Sequence, residues 1–374
     1  MKIVYLIAGT YRAAGMERVL AMKANALAGA GHDILIVTTE QKGRKPAFPL
    51  HEGIRCKDLG IGYEDNNGKG FLDKAMHYPS KICRHRKLLK ALLQEEMADI
   101  VVSMFCNDAS FVPGIKDGSK KVLEAHFSRF KRIQYGNKGL MHLSDIIRNR
   151  IDGRTASRYD RFVVLTQEDS SYWGPLPNLH VIPNAISHVE REPVPQTGKR
   201  VIAVGRLDRQ KGFDLLLEAW KKVPPCGWTL HIYGDGELRD SLLRKIADLS
   251  LQDRAFLEGR ATDMRGVYLG AGIVALSSRY EGLPMVLLEA QGMGLPCVAF
   301  RCKCGPADIL EDGVNGLLVD EGDTEGFAKA LSCLMSDRDR RIAMGQAALS
   351  NAARYSEDTV MKMWNELFRE VTDG

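Results

Sequence analysis

Two glutamates eight residues apart, Glu281 and Glu289, flank Gly282, Leu283, Pro284 and Met285 in one short loop-to-helix segment. Pro284 suits the first position of a helix, because its ring fixes a helical φ and its missing N–H has no intrahelical partner there. A helix starting at Pro284 turns its unbonded N–H groups and positive dipole end toward an anion such as a diphosphate. Glu281 then sits in the loop before the helix. Glu289 lies about one and a half turns inside, roughly 8 Å along the axis. That is the span from a sugar ring to a ribose across a pyrophosphate, so one carboxylate can meet each end of a nucleotide sugar. Taken alone, the spacing also fits a loop acid and a solvated helix acid.

A second segment adds charge of the opposite sign. Val201 to Val204 reads as a buried strand, Gly205 to Gly212 as a basic loop, and Phe213-Asp214 as the start of a helix. Arg206 can grip phosphate oxygens with its planar fork and Lys211 supplies a compact charge, together cancelling most of a diphosphate charge of roughly −2. That balance needs no metal and no cofactor. A lone cation at a strand end is usually an ordinary loop residue; two on one strand-to-helix loop, with the acids some seventy residues later, argue for a site.

With these segments in hand, the chain resembles the retaining glycosyltransferases of family 4 over nearly its whole length. The resemblance rests on Ala14-Gly15-Met16-Glu17-Arg18-Val19, Glu124-Ala125-His126-Phe127, Ile182-Pro183-Asn184-Ala185-Ile186, Gly205-Arg206-Leu207 with Lys211-Gly212, Tyr233-Gly234-Asp235-Gly236-Glu237, and the Glu281/Glu289 pair. Cys297 to Asp308 looks like the bacterial capsule and surface-polysaccharide branch. The resemblance implies an α/β fold of two Rossmann-like doubly wound domains facing across a cleft, the GT-B architecture. It also implies an enzyme moving a sugar, taken as a UDP-sugar, to a lipid-linked or surface glycan. Two alternatives stay open: a nucleotide-sugar-binding partner protein without transfer activity, and a nucleotide-sugar epimerase of similar architecture.

The resemblance also assigns residues. His126 matches the family histidine that contacts the transferred sugar or the reaction centre. Gly15, lacking a Cβ, lets backbone approach a phosphate or the acceptor, or is a plain turn glycine. Asp235 lies near the nucleotide, or caps the following helix. Gly259 and Arg260 are expected to offer backbone contacts to the base. Asn184 holds a cleft loop or touches the acceptor. In this scheme Arg206, Lys211 and the helix start at Pro284 stabilise the departing nucleoside diphosphate, Glu281 binds sugar hydroxyls and Glu289 the ribose. No covalent nucleophile stands out, which favours front-face attack by the acceptor hydroxyl with the leaving phosphate as base.

Length and composition agree. A chain of 374 residues, 45% hydrophobic, can bury two ordinary cores. Lys2 to Ala8 reads as a strand, Gly9 to Gly15 as a phosphate-sized turn, Met16 to Gly29 as a helix and Ile34 to Thr38 as the next strand. The turn lacks the G-x-G-x-x-G fingerprint of dinucleotide dehydrogenases. Further strands are expected at Ile100 to Phe105, Lys121 to Ala125 and Phe162 to Leu165. After a proline-bearing linker at 187–199 the alternation restarts, with strands near 201–204, 229–233, 254–257, 272–276 and 297–300. Helices are expected at 324–335, 338–353 and about 357–371. The domains are therefore 1–190, completed by the terminal helix at about 357–374, and 191–356, with hinges near 187–199 and before the last helix. Trp364 and Phe368, four residues apart, supply that helix's buried face.

No apolar run is long enough to span a bilayer and the N-terminus does not read as a signal peptide, so a cytoplasmic location is expected. The eight cysteines form no small-domain framework and read as free thiols. Cys297, Cys302 and Cys304 lack paired C-x2-C units and no histidine follows, so no metal is expected.

Net charge is only +5, but Lys81 to Lys90 carries five Lys/Arg and no acid, and residues 120–161 hold eleven Lys/Arg against four Asp/Glu. Interleaved with Phe127, Phe130, Ile133, Leu140, Met141, Ile146 and Ile147, these charges suit either a solvated basic face or an anionic membrane surface at the inner face of the cell membrane. A nucleic-acid partner is not expected, because no recognition motif or aromatic stacking pattern accompanies them.

Overall fold

The computed structural model describes residues 1–66, 71–134 and 139–373. Apolar runs such as Lys2–Ile7 and Ile273–Leu276 are buried almost throughout, the mark of parallel strands covered on both faces. Thirteen strands among the described residues form two sheets, and every strand pairing within them is parallel.

The first sheet holds β1 (Lys2–Ile7), β2 (Asp33–Thr38), β3 (Arg55–Asp58), β4 (Ile100–Ser103), β5 (Lys120–Glu124), β6 (Arg161–Val164) and β7 (Leu179–Val181), in the order β3-β2-β1-β4-β5-β6-β7. The second holds β8 (Arg200–Val204), β9 (Thr229–Tyr233), β10 (Ala255–Gly259), β11 (Ile273–Leu276), β12 (Cys297–Phe300) and β13 (Gly316–Val319), in the order β10-β9-β8-β11-β12-β13. In each sheet the order reverses beside the first strand, and such switch points put ligand sites at the carboxyl ends of the strands. The expected strands are present within about two residues. The edge strands β3, β7 and β13 are additions.

Each sheet has its own core. Phe162 and Trp173 pack with ring centroids 4.6 Å apart in the first, and Phe300 and Phe327 at 4.7 Å in the second. The chain divides into two compact units. The first comprises Met1–Leu165, Ser170–Ile182 and Met361–Gly374, and the second Thr166–Asp169 and Pro183–Val360. The main division thus falls at 182/183, ahead of the 190/191 read from composition, and Asn184 belongs to the second unit.

The reason is the role of 187–199. Glu190 N donates to Gly292 O at 2.8 Å, Val194 N to Met293 O at 3.0 Å and Gln196 Nε2 to Gly294 O at 2.9 Å. These bonds satisfy carbonyls around the end of the helix Met285–Gly292. The proline-bearing segment is thus bonded along the second unit as a strap rather than running free. The terminal helix Glu357–Asp373 belongs from Met361 to the first unit, where Trp364 and Phe368 are buried.

Candidate functional site

In the second unit, four of the strand-end loops carry residues singled out above. Gly205 N donates to Tyr233 O and Leu207 N to Asp235 O, so the loops after β8 and β9 are joined backbone to backbone. Gly234 makes this closeness possible. Its φ is +147°, and a Cβ there would lie 1.8 Å from Gly205 O. A Cβ on Gly236 would lie 2.5 Å from Leu207 O.

The loop after β8 ends on Gly212, whose left-handed φ of +62° sets the start of the helix Phe213–Lys222. A Cβ there would meet Ser277 O at 2.1 Å, which brings the loop after β11 against it. The junction is closed by Ser277 Oγ donating to Lys211 O, Arg279 N donating to Gln210 O, and a bidentate Arg279–Asp214 pair at 2.8 and 2.6 Å. The two loops therefore hold each other in register.

This scaffold brings Lys211 and Glu281 together, with Lys211 Nζ 2.7 Å from Glu281 Oε1. Ser278 Oγ donates to the same oxygen at 2.5 Å. The lysine stem lies across Gly205, where a Cβ would come within 3.0 Å of three of its carbons. Glu281 is buried, and its N–H donates to Lys303 O in the loop after β12. Close by, burial followed by Glu281 pushes the Cys302 thiol well above its ordinary value.

Arg206 stands differently. Its side chain is 72% exposed, with Nε 3.3 Å from Asp208 Oδ2. Asp235 and Arg260 form a loose exposed pair at 3.7 Å. Asp235 caps no helix, since the next one, Arg239–Asp248, has Leu238 at its N-cap; Asp235 Oδ1 accepts instead from Gly236 N. Gly259 ends β10 with φ +76°, and its carbonyl accepts from Gly234 N at 2.7 Å.

Pro284 is one position earlier in its helix than expected. The helix is Met285–Gly292 and Pro284 is its N-cap, with an extended ψ of 96°. Its carbonyl accepts from Leu287 N and Leu288 N, which leaves the Met285 and Val286 N–H groups outside the intrahelical ladder. A Cβ on Gly305 would lie 2.4 Å from Pro284 Cδ, so the proline ring packs on that backbone. Leu283 is buried, Gly282 half-buried, and Glu289 half-buried with its Oε2 accepting from Tyr268 Oη at 2.6 Å. Asn184 is buried.

In the first unit, the helix after β1 begins at Gly15, one residue before the expected Met16. A Cβ on Gly15 would meet nothing within 4 Å, so packing does not require glycine there. His126 follows β5 by two residues and its side chain is buried, with Nε2 2.9 Å from Glu124 Oε1. Glu124 also pairs with Lys23, a buried lysine that the sequence reading did not single out.

The basic stretch 120–161 is only partly described: residues 135–138, with Lys138, and the side chains of Arg132, Leu140 and Met141 lie outside the described residues. Phe127, Phe130, Ile133 and Ile146 are half-buried. On the helix Leu140–Ala156 the outward apolar residues are Leu143, Ile147 and Ile151, at 53%, 50% and 49% exposure. Their i, i+4, i+8 spacing makes one stripe, and the exposed Arg150 and Arg154 share its arc. Leu143 and Ile151 could have been found from that spacing, which otherwise reads as a core face. Among the described residues, no helix is long and apolar enough to cross a membrane.

Two family models match consecutive parts of the chain: Glycosyltransferase Family 4 over residues 13–190 and Glycosyl transferases group 1 over 198–337. Together the two models match most of the chain, which belongs to the glycosyltransferases; the family 4 model is the one its first part matches. It is 39% identical over 56% of its length to the amylovoran biosynthesis glycosyltransferase AmsD of Erwinia amylovora, spanning 62% of that relative. An exopolysaccharide phosphotransferase of Streptomyces coelicolor is 36% identical over 58% of the chain, and the match spans only 24% of that protein. An uncharacterized glycosyltransferase of Haemophilus influenzae is 28% identical over 97% of the chain and 98% of its own length. The chain thus spans less than two thirds of the first two relatives.

Solved structures share the fold. Sucrose-phosphate synthase of Thermosynechococcus elongatus has a TM-score of 0.83 at 18% identity, covering 100% of this chain and 99% of its own. The lipopolysaccharide outer core galactosyltransferase WaaB scores 0.75 at 21%, covering 99% of both chains. HepE of Anabaena in complex with UDP-glucose scores 0.73 at 17%, covering 98% of both.

Proposed function

We propose that this chain transfers a hexose from a UDP-sugar to a lipid-linked or surface-polysaccharide acceptor, with retention of configuration. The observation that carries the reading is the Lys211–Glu281 pair, set in joined strand-end loops that also present Arg206. Departure of the nucleoside diphosphate builds negative charge on the leaving oxygen. Arg206, Lys211 and the first N–H groups of the helix Met285–Gly292 are the groups of this unit that answer it.

Glu281 accepts from both Lys211 and Ser278, so its first task is to hold the lysine ammonium in place; contact with sugar hydroxyls is its second. Glu289, steadied by Tyr268, takes the ribose. Asp235, Gly259 and Arg260 border the nucleotide, with Gly282, Leu283, Pro284 and Met285 lining the phosphate end. In the first unit, His126 meets the transferred sugar, and Gly15, whose lack of a side chain packing does not explain, lets phosphate or acceptor approach. Asn184 supports a loop of the acceptor site. The acceptor hydroxyl attacks from the face the diphosphate leaves, and the leaving phosphate takes its proton. The reading asks for no metal, because the cations meet the charge.

The UDP-glucose complex of HepE and the polysaccharide and lipopolysaccharide names of the relatives support the donor and pathway classes. The apolar and cationic stripe of the helix Leu140–Ala156 supports action at the inner face of an anionic membrane.

The test is acceptor-dependent UDP release from UDP-glucose, UDP-galactose and UDP-N-acetylglucosamine in the presence of bacterial membrane lipid extract. Release that requires the extract is expected. Binding without release makes the chain a binding partner, and conversion of the sugar nucleotide makes it an epimerase; either overturns the transfer reading.

A further inference from the structure

Lys23 and Glu124 form a buried ion pair in the first unit, with side chains 4% and 1% exposed. Lys23 comes from the helix Gly15–Gly29 and Glu124 from the end of β5. The lysine Nζ bonds Glu124 Oε2 and lies 3.9 Å from the ring centre of Trp364, on the terminal helix, and 5.2 Å from that of Tyr5 on β1. Three elements thus converge on the carboxylate through one ammonium. The other carboxylate oxygen, Oε1, faces His126 Nε2 at 2.9 Å. His126 lies two residues beyond Glu124, just past the end of β5. At 2.9 Å, Glu124 is the carboxylate placed to orient the buried Nε2.

A buried ion pair is a poor way to gain stability, because desolvation consumes most of the attraction and an apolar pair of like volume does as well. A specific orienting task is a physical reason to keep one. We propose that Glu124 is a positioning residue for His126, with Lys23 and Trp364 fixing the carboxylate so that it sets the orientation and tautomer of the imidazole. Burial alone would raise the Glu124 carboxyl, but Lys23 and then His126 hold it down at about 2, so it stays ionised beside the ring. Carboxylate control of the second ring nitrogen is the usual way a histidine's tautomer is set. The proposal rests on the reading of His126 as the residue that meets the transferred sugar.

Glu124→Gln alone would strand a buried ammonium and could fail to fold. The deciding variants are therefore the pair Lys23→Met with Glu124→Gln, which removes both charges at similar volume, and Glu124→Asp, which keeps the ion pair and draws the carboxylate back from the ring. Three measurements are made: the melting midpoint, kcat and donor KM in acceptor-dependent UDP release, and the 15N shifts of the His126 ring nitrogens, assigned with His126→Ala.

Positioning predicts a double variant that melts within a few degrees of wild type, with kcat lower by about tenfold or more, donor KM within about twofold, and altered ring nitrogen shifts. Glu124→Asp should show the same kcat loss in a milder form. A purely structural pair predicts that a stable double variant regains wild-type kcat with unchanged ring shifts, and that result overturns the proposal. If wild type releases no UDP from any donor, the transfer reading fails by itself, and the ring shifts alone then decide the positioning.

Discussion

Lys211 Nζ rests 2.7 Å from Glu281 Oε1 although 70 residues separate the two in sequence. The lysine closes the loop after β8 and the glutamate lies in the loop after β11, neighbouring strands whose loops are bonded through Ser277 and Arg279. Lys211→Ala should lower turnover more than tenfold and also cost about 2 kcal/mol of stability, because it strands a buried carboxylate. Arg206→Ala should lower turnover similarly with an unchanged melting midpoint, since its side chain is 72% exposed. Single-turnover assays with a verified donor, paired with calorimetry, check both; unchanged product formation in either variant removes that residue from the groups proposed to stabilise the departing diphosphate.

Tyr268 Oη donates to Glu289 Oε2 at 2.6 Å and holds the carboxylate in one direction on its helix. If that carboxylate meets the ribose, Glu289→Gln should raise donor KM about tenfold with a smaller effect on kcat, the pattern of lost uniform binding. Tyr268→Phe should give a weaker version of the same change. A fall in kcat at constant KM would place Glu289 at the reacting centre instead.

The stripe of Leu143, Ile147 and Ile151, with Arg150 and Arg154 on the same arc, should bind anionic bilayers. In vesicle flotation, wild type is expected with phosphatidylglycerol vesicles and to be released by high salt. The triple variant Leu143→Ser, Ile147→Ser, Ile151→Ser should stay in solution, and Arg150→Glu with Arg154→Glu should do the same. Equal flotation of all three proteins would make the stripe irrelevant. A wild-type dimer that the triple variant dissolves, in light scattering, would assign the stripe to self-association.

Acid should unfold the first unit in a particular window. Glu124 is held at about 2 against an ordinary 4.5, so its stabilising effect is whole above pH 4.5 and is lost as pH falls toward 2. Glu96, hydrogen-bonded by Arg55, is held at about 2 and acts in the same direction. Burial pushes His85 down to about 4, so stability drains as pH falls from 6.5 to 4. Burial pushes Asp108 up to about 6, which has the opposite sign and offsets much of the His85 loss there. Urea titrations should therefore show a shallow change between pH 6.5 and 4.5 and a steep loss below. The Lys23→Met, Glu124→Gln double variant should flatten the steep limb in part; an identical acid limb would show that Glu124 is not its source.

What was readable beforehand follows physical lines. The central strands announce themselves because burial on two faces demands unbroken apolar runs. The edge strands do not: Arg-Cys-Lys-Asp at β3 is mostly exposed, and β7 is three residues long. Pro193 and Pro195 made 187–199 look like a tether, yet its backbone groups finish the end of a helix. At the site, Arg206, Lys211 and Glu281 were legible as charges placed where strands end. Lys23 was not, since a lysine within a helix ordinarily marks the solvent side, and its partner lies 101 residues away.

The contact of Gly234 and Gly236 with the backbone at Gly205 and Leu207 makes two turns into one solid piece. Recombining either turn alone from a relative would wedge a foreign main chain into a fit with no spare room, so the two turns should be exchangeable only together, as one cassette.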